Sequence, residues 1–200
     1  MPRLNVLPQR LPKNVADTIG RSVGSLGITP NMISLFGFAG NILAAILIMR
    51  EALLWAGIVY LVFSALDLVD GAVARAMGLA SPFGAVFDAI LDRVSETLVI
   101  AACGWYFAER GEYVQVAVAY AALFGSVAVS YMRARAEVVG LFMREGIFRR
   151  QERVALLGLG LVFNGLTIVI WVLALLSNLT ALQRFGMLVT GLRGKEESKP

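Results

Sequence analysis

Histidine is absent from all 200 residues, and cysteine occurs once, as Cys103 in an apolar stretch. The first absence removes imidazole acid/base pairs and His-ligated metal sites; the second removes internal disulfides and multi-cysteine zinc sites. Charge is also scarce, at 16% of residues, whereas 58% are hydrophobic and the mean hydropathy is +0.74. That composition lies outside the soluble range and marks an all-α integral membrane protein. A signal peptide is not expected, because Met1 to Asn31 is polar, bears prolines and lacks a compact apolar run followed by a cleavage site. The formal charge is +4, but the cations adjoin apolar segments, so anionic headgroups or substrates account for them and nucleic acid does not.

A hydrocarbon core of about 30 Å needs roughly 20 apolar residues in a helix. Runs approaching this are Met32 to Met49, Ala52 to Leu66, Val94 to Phe107 and Val114 to Met132. Val154 to Phe163 and Leu166 to Leu182 add spans five and six, with a tight turn at Asn164-Gly165. Of the 18 basic residues, Arg50 and Arg110 alone fall after spans one and three, which places both termini in the cytoplasm of a cell-membrane protein. Residues 1–28 are expected to form a cytoplasmic segment with an interfacial amphipathic helix, since Val15, Ile19, Val23 and Leu26 share a face that excludes Lys13 and Arg21. Residues 29–192 form the six-helix membrane domain, and the charged tail 193–200 is expected to be disordered.

Aspartate at the centre of a membrane helix costs about 2.5 to 3.5 kcal/mol on insertion scales, so each one demands an explanation. Asp67 and Asp70 are three apart at the end of span two, and Asp88 and Asp92 are four apart at the start of span three. Helical spacing puts each pair on one face, and the turn-rich Gly78 to Pro82 brings the two helices back as neighbours. Four converging carboxylates need counter-charge. Two divalent cations would supply it, and an all-oxygen donor set selects hard ions such as Mg²⁺ or Mn²⁺. Such a pair suits phosphoryl transfer. Gly71 and Gly84 remove bulk where a nucleotide or headgroup could approach, and Arg75 offers a cation for phosphate. Arg93 and Glu96, three apart, read as an ordinary intrahelical ion pair.

Written out, Asp67-x2-Asp70-Gly71-x2-Ala74-Arg75-x8-Gly84-x3-Asp88-x3-Asp92 resembles the signature of the CDP-alcohol phosphotransferase family at every defined position. The resemblance implies six transmembrane helices, usually in a homodimer. It also implies a cytoplasmic-facing site that transfers a phosphoryl-linked group from a CDP-activated donor to an alcohol, with release of CMP. Asp67, Asp70, Asp88 and Asp92 become the metal ligands, with Asp92 also the proton acceptor for the incoming hydroxyl. The CDP moiety is implied to be held by Thr29, Pro30, Asn31 and Met32, and by Gly71, Arg75 and Ser81.

Downstream, Arg133, Arg135, Arg153 and Arg184 reach the same membrane face, with Ser130 one turn before the first. Converging arginines suit a doubly charged phosphate and repel a cationic acceptor. Arg144, Arg149 and Arg150 read instead as positive-inside loop charge that meets anionic lipid. The stretch Ser130 to Glu137, with Gln151-Glu152-Arg153, resembles the acceptor region of the phosphatidylinositol phosphate synthases of actinobacteria and their archaeal counterparts. That implies inositol 1-phosphate as acceptor, with CDP-diacylglycerol or CDP-archaeol as donor. Glycerol 3-phosphate is the alternative acceptor. A divalent-cation transporter is the alternative of a different class, since acids in membrane helices also line ion paths. Gly158-Leu159-Gly160 reads as close helix packing, Cys103 as a packing residue, and Trp55, Trp105, Trp171 and Tyr113 as interfacial anchors.

Overall fold

A computed structural model describes residues 28–142, 146 and 148–197. Seven helices run in chain order: α1 (Pro30–Met49), α2 (Leu53–Ser64), α3 (Leu66–Ala76), α4 (Pro82–Glu109), α5 (Tyr113–Val138), α6 (Arg150–Val162) and α7 (Leu166–Glu197). Only Ala65, itself helical in backbone, separates α2 from α3, so the two make one continuous passage. The expected amphipathic helix within residues 1–28 and Arg144 lie outside the described residues.

Two of these helices begin in the same way. Thr29 caps α1, its Oγ1 accepting from the Met32 N–H at 3.4 Å, and Ser81 caps α4, its Oγ accepting from the Gly84 N–H at 3.0 Å. In each a proline follows, where its fixed φ suits the first turn and its missing N–H is not needed. The turn between α6 and α7 falls at Asn164, whose φ of 53° puts it in the left-handed region that asparagine tolerates better than most residues.

Among the described residues four segments are long and apolar enough to cross a bilayer: 30–49, 53–75, 113–138 and 166–194. The 28-residue α4 carries Asp88, Asp92, Arg93 and Glu96 in its first half, and α6 has 13 residues, about 20 Å of rise. The protein is thus an all-helical, multi-pass membrane protein. Helix α7 continues to Glu197 and so takes in residues 193–197 of the charged C-terminal segment. Glutamate, lysine and arginine are good helix formers, and a helix already 27 residues long by Leu192 extends without a new nucleation cost.

Helix α1 packs on α2, α3 and α4; α4 on α5; α5 on α7; and α6 on α2 and α7. The shared core includes Ile48, Tyr60, Ile100, Phe107, Leu157, Leu161, Ile170 and Leu173. Small residues bring backbones together. A Cβ on Gly57 would meet the Gly158 carbonyl and the Val162 nitrogen at 2.8 Å, so α2 and α6 cross at a pair of glycines. Cys103 is fully buried in this core, as a packing residue. The outward faces are apolar too, with Phe36, Trp55, Phe124, Ile168 and Leu175 each more than half exposed, an arrangement that suits lipid and not water.

Candidate active site

The acid site forms where α3 and the first half of α4 come together beside the start of α1. Carboxylate oxygens of Asp67, Asp70 and Asp88 lie within 4.8 Å of one another. Asp70 is 4% exposed, and its Oδ2 accepts from the Ser34 hydroxyl at 2.6 Å. The Oδ1 of Asp88 is buried with no hydrogen-bond partner among the described residues. Three hard oxygen donors, one of them orphaned, fit a divalent cation of the Mg²⁺ or Mn²⁺ type, since a buried carboxylate oxygen is costly unless a cation or donor meets it.

Beside these acids opens a cavity of about 230 Å³. Asp70 and Asp88 line it together with Pro30 and Asn31 of α1, Gly71, Ala74 and Arg75 of α3, and Ser81 and Gly84 at the start of α4. The two glycines have a measurable reason. A Cβ on Gly84 would meet Asn31 Oδ1 and Ser81 Oγ at 3.2 Å, and one on Gly71 would meet an Arg75 guanidinium nitrogen at 3.2 Å. The first residues of α1 and α4 both border this cavity, and the positive end of a helix dipole favours an anion. Of the seven residues expected to hold the nucleotide, Pro30, Asn31, Gly71, Arg75 and Ser81 line this cavity. Thr29 is occupied as the α1 cap, and the Met32 side chain is 54% exposed; neither is in the lining.

Asp92, one turn beyond Asp88, stands outside the convergent trio. Its Oδ1 accepts from Arg150 Nη2 at 2.8 Å, while Arg150 Nη1 donates to Asp67 Oδ2 at 2.5 Å. Arg150 is therefore part of the acid site, which corrects its reading as loop charge. The α6 N-terminus carries it in from a position 83 residues beyond Asp67, a separation that no local spacing records.

One turn along α4, Glu96 continues the acid stripe. It is 3% exposed and takes Arg153 through both oxygens, at 2.5 and 3.0 Å, and Arg93 at 2.9 Å. The expected Arg93–Glu96 pair is present, but the stronger partner is Arg153, whose Nη1 also donates to the Phe148 carbonyl at 3.3 Å. Arg184 is 7% exposed, donates from Nη1 to the Val129 carbonyl at 2.7 Å, and has an Nε with no partner among the described residues. Arg133, Arg153, Arg93 and Arg149 all lie close enough to act electrostatically on its guanidinium. Of the expected acceptor residues, Arg153 is engaged by Glu96 and Arg133 pairs with Glu137 at 2.9 Å, while both add to the positive field at Arg184. Ser130 donates to the Ser126 carbonyl one turn before Arg133, and Arg135 is exposed on another face of α5. Ser34, Glu96 and Arg93 were not foreseen as site residues; the one sequence signal for Glu96 was its place in the stripe Asp88, Asp92, Glu96 at intervals of four.

All these groups sit at one end of the bundle. The rest of α4 buries Val99, Ile100, Cys103 and Phe107, so on this helix the acids stop at Glu96 until its far end.

A family model described as CDP-alcohol phosphatidyltransferase matches residues 27–189. An archaetidylinositol phosphate synthase from Pyrococcus horikoshii is 36% identical over 173 residues, covering 86% of this chain and 89% of the relative. Among solved structures, the Mycobacterium tuberculosis phosphatidylinositol phosphate synthase with CDP-DAG bound superposes with a TM-score of 0.81 at 29% identity, covering 88% of this chain and 94% of that one. The same synthase in complex with manganese and citrate gives a TM-score of 0.79 at 30% identity, covering 88% and 89%.

Proposed function

This chain belongs to the CDP-alcohol phosphatidyltransferase family, and from that membership we propose that it transfers a phosphatidyl or archaetidyl group from a CDP-lipid to inositol 1-phosphate, releasing CMP. The observation that carries the reading is the meeting of three carboxylates with a 230 Å³ cavity onto which two helix N-termini and Arg75 open. Such a cavity suits a nucleotide diphosphate: the N-termini and Arg75 face its charge, and Gly71 and Gly84 allow close approach. The names of the relatives, a synthase of archaetidylinositol phosphate and one of phosphatidylinositol phosphate, support the acceptor.

Asp67, Asp70 and Asp88, with Asp92, would hold divalent cations, which supply Lewis-acid stabilisation to the charge developing on the diphosphate. The chain's own groups do the rest. The acceptor hydroxyl oxygen forms a bond to the lipid-bearing phosphorus of the donor. The bond from that phosphorus to the bridging oxygen breaks, and CMP departs with the oxygen. The hydroxyl proton passes to the Asp92 carboxylate. Arg133, Arg153 and Arg184 hold the acceptor's phosphate, which takes no part in bond making; the Nε of Arg184, without a partner among the described residues, is a donor suited to such an anion.

In this reading the α4 and α6 passages complete six spans, with both termini and the site facing the cytoplasm, an orientation that the accumulation of cations at the site end supports. A homodimer would cover part of the exposed apolar surface. Full-length protein in nanodiscs should release CMP from CDP-diacylglycerol or CDP-archaeol only when Mg²⁺ or Mn²⁺ and inositol 1-phosphate are present. Preference for glycerol 3-phosphate or free inositol would overturn the acceptor assignment, and release without a divalent ion would overturn the site.

A further inference from the structure

We infer that Arg150 is a built-in counter-cation of the acid site, one that binds Asp67 and Asp92 together in the metal-free protein and competes with a divalent cation for Asp92. The inference rests on the metal reading proposed above. The four carboxylates are not equivalent: Asp67, Asp70 and Asp88 converge as a ligand set, while Asp92 is joined to Asp67 through the Arg150 guanidinium. Arg150 gives one nitrogen to each of two carboxylates from different helices, so its charge stands between Asp67 and Asp92, where a second cation bridging them would place its own.

The contact is made to be broken. Neither carboxylate receives the two parallel bonds that make an arginine pair strong, and the buried Nε has no partner among the described residues. Arg150 is also the first residue of α6, and a cation is disfavoured at a helix N-terminus; the acids offset that as long as they are free of metal. Its neighbour Arg153 is held more fully, with both Glu96 oxygens and the Phe148 carbonyl engaged. The start of α6 is therefore fixed by Arg153, and release of Asp92 needs only the Arg150 side chain to turn.

The test is Mn²⁺ binding to the full-length protein, read from the electron paramagnetic resonance of free Mn²⁺ without substrate. Wild type should show one tight and one weaker ion, and Arg150→Gln should tighten the weaker by about tenfold, the scale on which neighbours of metal ligands tune affinity. In EDTA the variant should unfold at a lower temperature than wild type, with the gap closing at saturating Mn²⁺. A second-ion affinity equal to or weaker than wild type would overturn the inference while leaving the metal site intact, whereas no Mn²⁺ binding in either protein would overturn both. Should the variant not fold, wild type decides: an arginine-directed dicarbonyl reagent should modify Arg150 faster with Mn²⁺ than with EDTA, and an equal or slower rate refutes the competition.

Discussion

Two ion pairs at opposite ends of the bundle use the same residue types on opposite terms. Glu96 and Arg153 are each 3% exposed, whereas Glu51 and Arg110, which meet at 2.6 Å, are 54% and 36% exposed. The second end even has the larger hollow, about 460 Å³ against 230 Å³, walled by Glu51, Trp55, Tyr106 and Arg110. Size does not make it the site. No carboxylates converge there, and its one acid is already paired with a cation that also lies over the Tyr106 ring at 4.3 Å. At the other end the charges are desolvated and mutually dependent, so each has a stake in its neighbours that an exposed pair lacks.

That contrast is broken most directly at the acids. Asp92→Asn should reduce CMP release by about 10³-fold, within the range a positioned proton acceptor contributes, while CDP-lipid binding by filter or calorimetric assay changes far less. A variant that loses donor binding in parallel would make Asp92 part of the nucleotide cradle instead. Next in size is Glu96→Gln, which leaves Arg153 buried, and Arg93 half-buried, without their carboxylate; breaking a buried pair such as that with Arg153 costs about 3 to 5 kcal/mol. The expected result is a large fall in unfolding temperature in detergent, together with a raised KM for inositol 1-phosphate in whatever fraction folds.

The packing between the two ends can be tested separately. Gly57→Ala puts a methyl 2.8 Å from backbone atoms of Gly158 and Val162, neither of which can swing aside as a side chain would. Overpacking of this kind costs about 1 to 3 kcal/mol, and thermal unfolding should register it with little change in KM for either substrate.

The acids and the glycines were legible because their signals are local. An aspartate in a membrane helix is costly wherever it sits, and Asp67, Asp70, Asp88 and Asp92 stand at helical intervals within 26 positions. Asn164 at the last turn was legible for the same reason. Arg150 was not. Its loop composition fits the positive-inside bias, and that bias is blind to which cation then turns inward against acids 83 residues away. Glu96 shows the same limit more narrowly, since spacing found its partner Arg93 on the same helix but not Arg153, brought in by α6. Composition alone does not set where α7 stops, because a helix already long propagates through its charged last turns to Glu197.

The smallest effect is expected at the far end, and its smallness carries the comparison. Arg110→Ala removes a pair that water can reach on both sides, and exposed pairs are worth about 0 to 1 kcal/mol. The contact with Tyr106 adds little, because a cation over an exposed ring is worth about 0.5 to 1 kcal/mol. The variant should therefore unfold within a few degrees of wild type, and raising the salt concentration should narrow the difference, since screening acts on exposed charges first. CMP release should stay at the wild-type rate. A drop in activity comparable to that of Glu96→Gln would mean that the far hollow communicates with the acids through α4, and the division of that helix into a chemical half and a packing half would have to be abandoned.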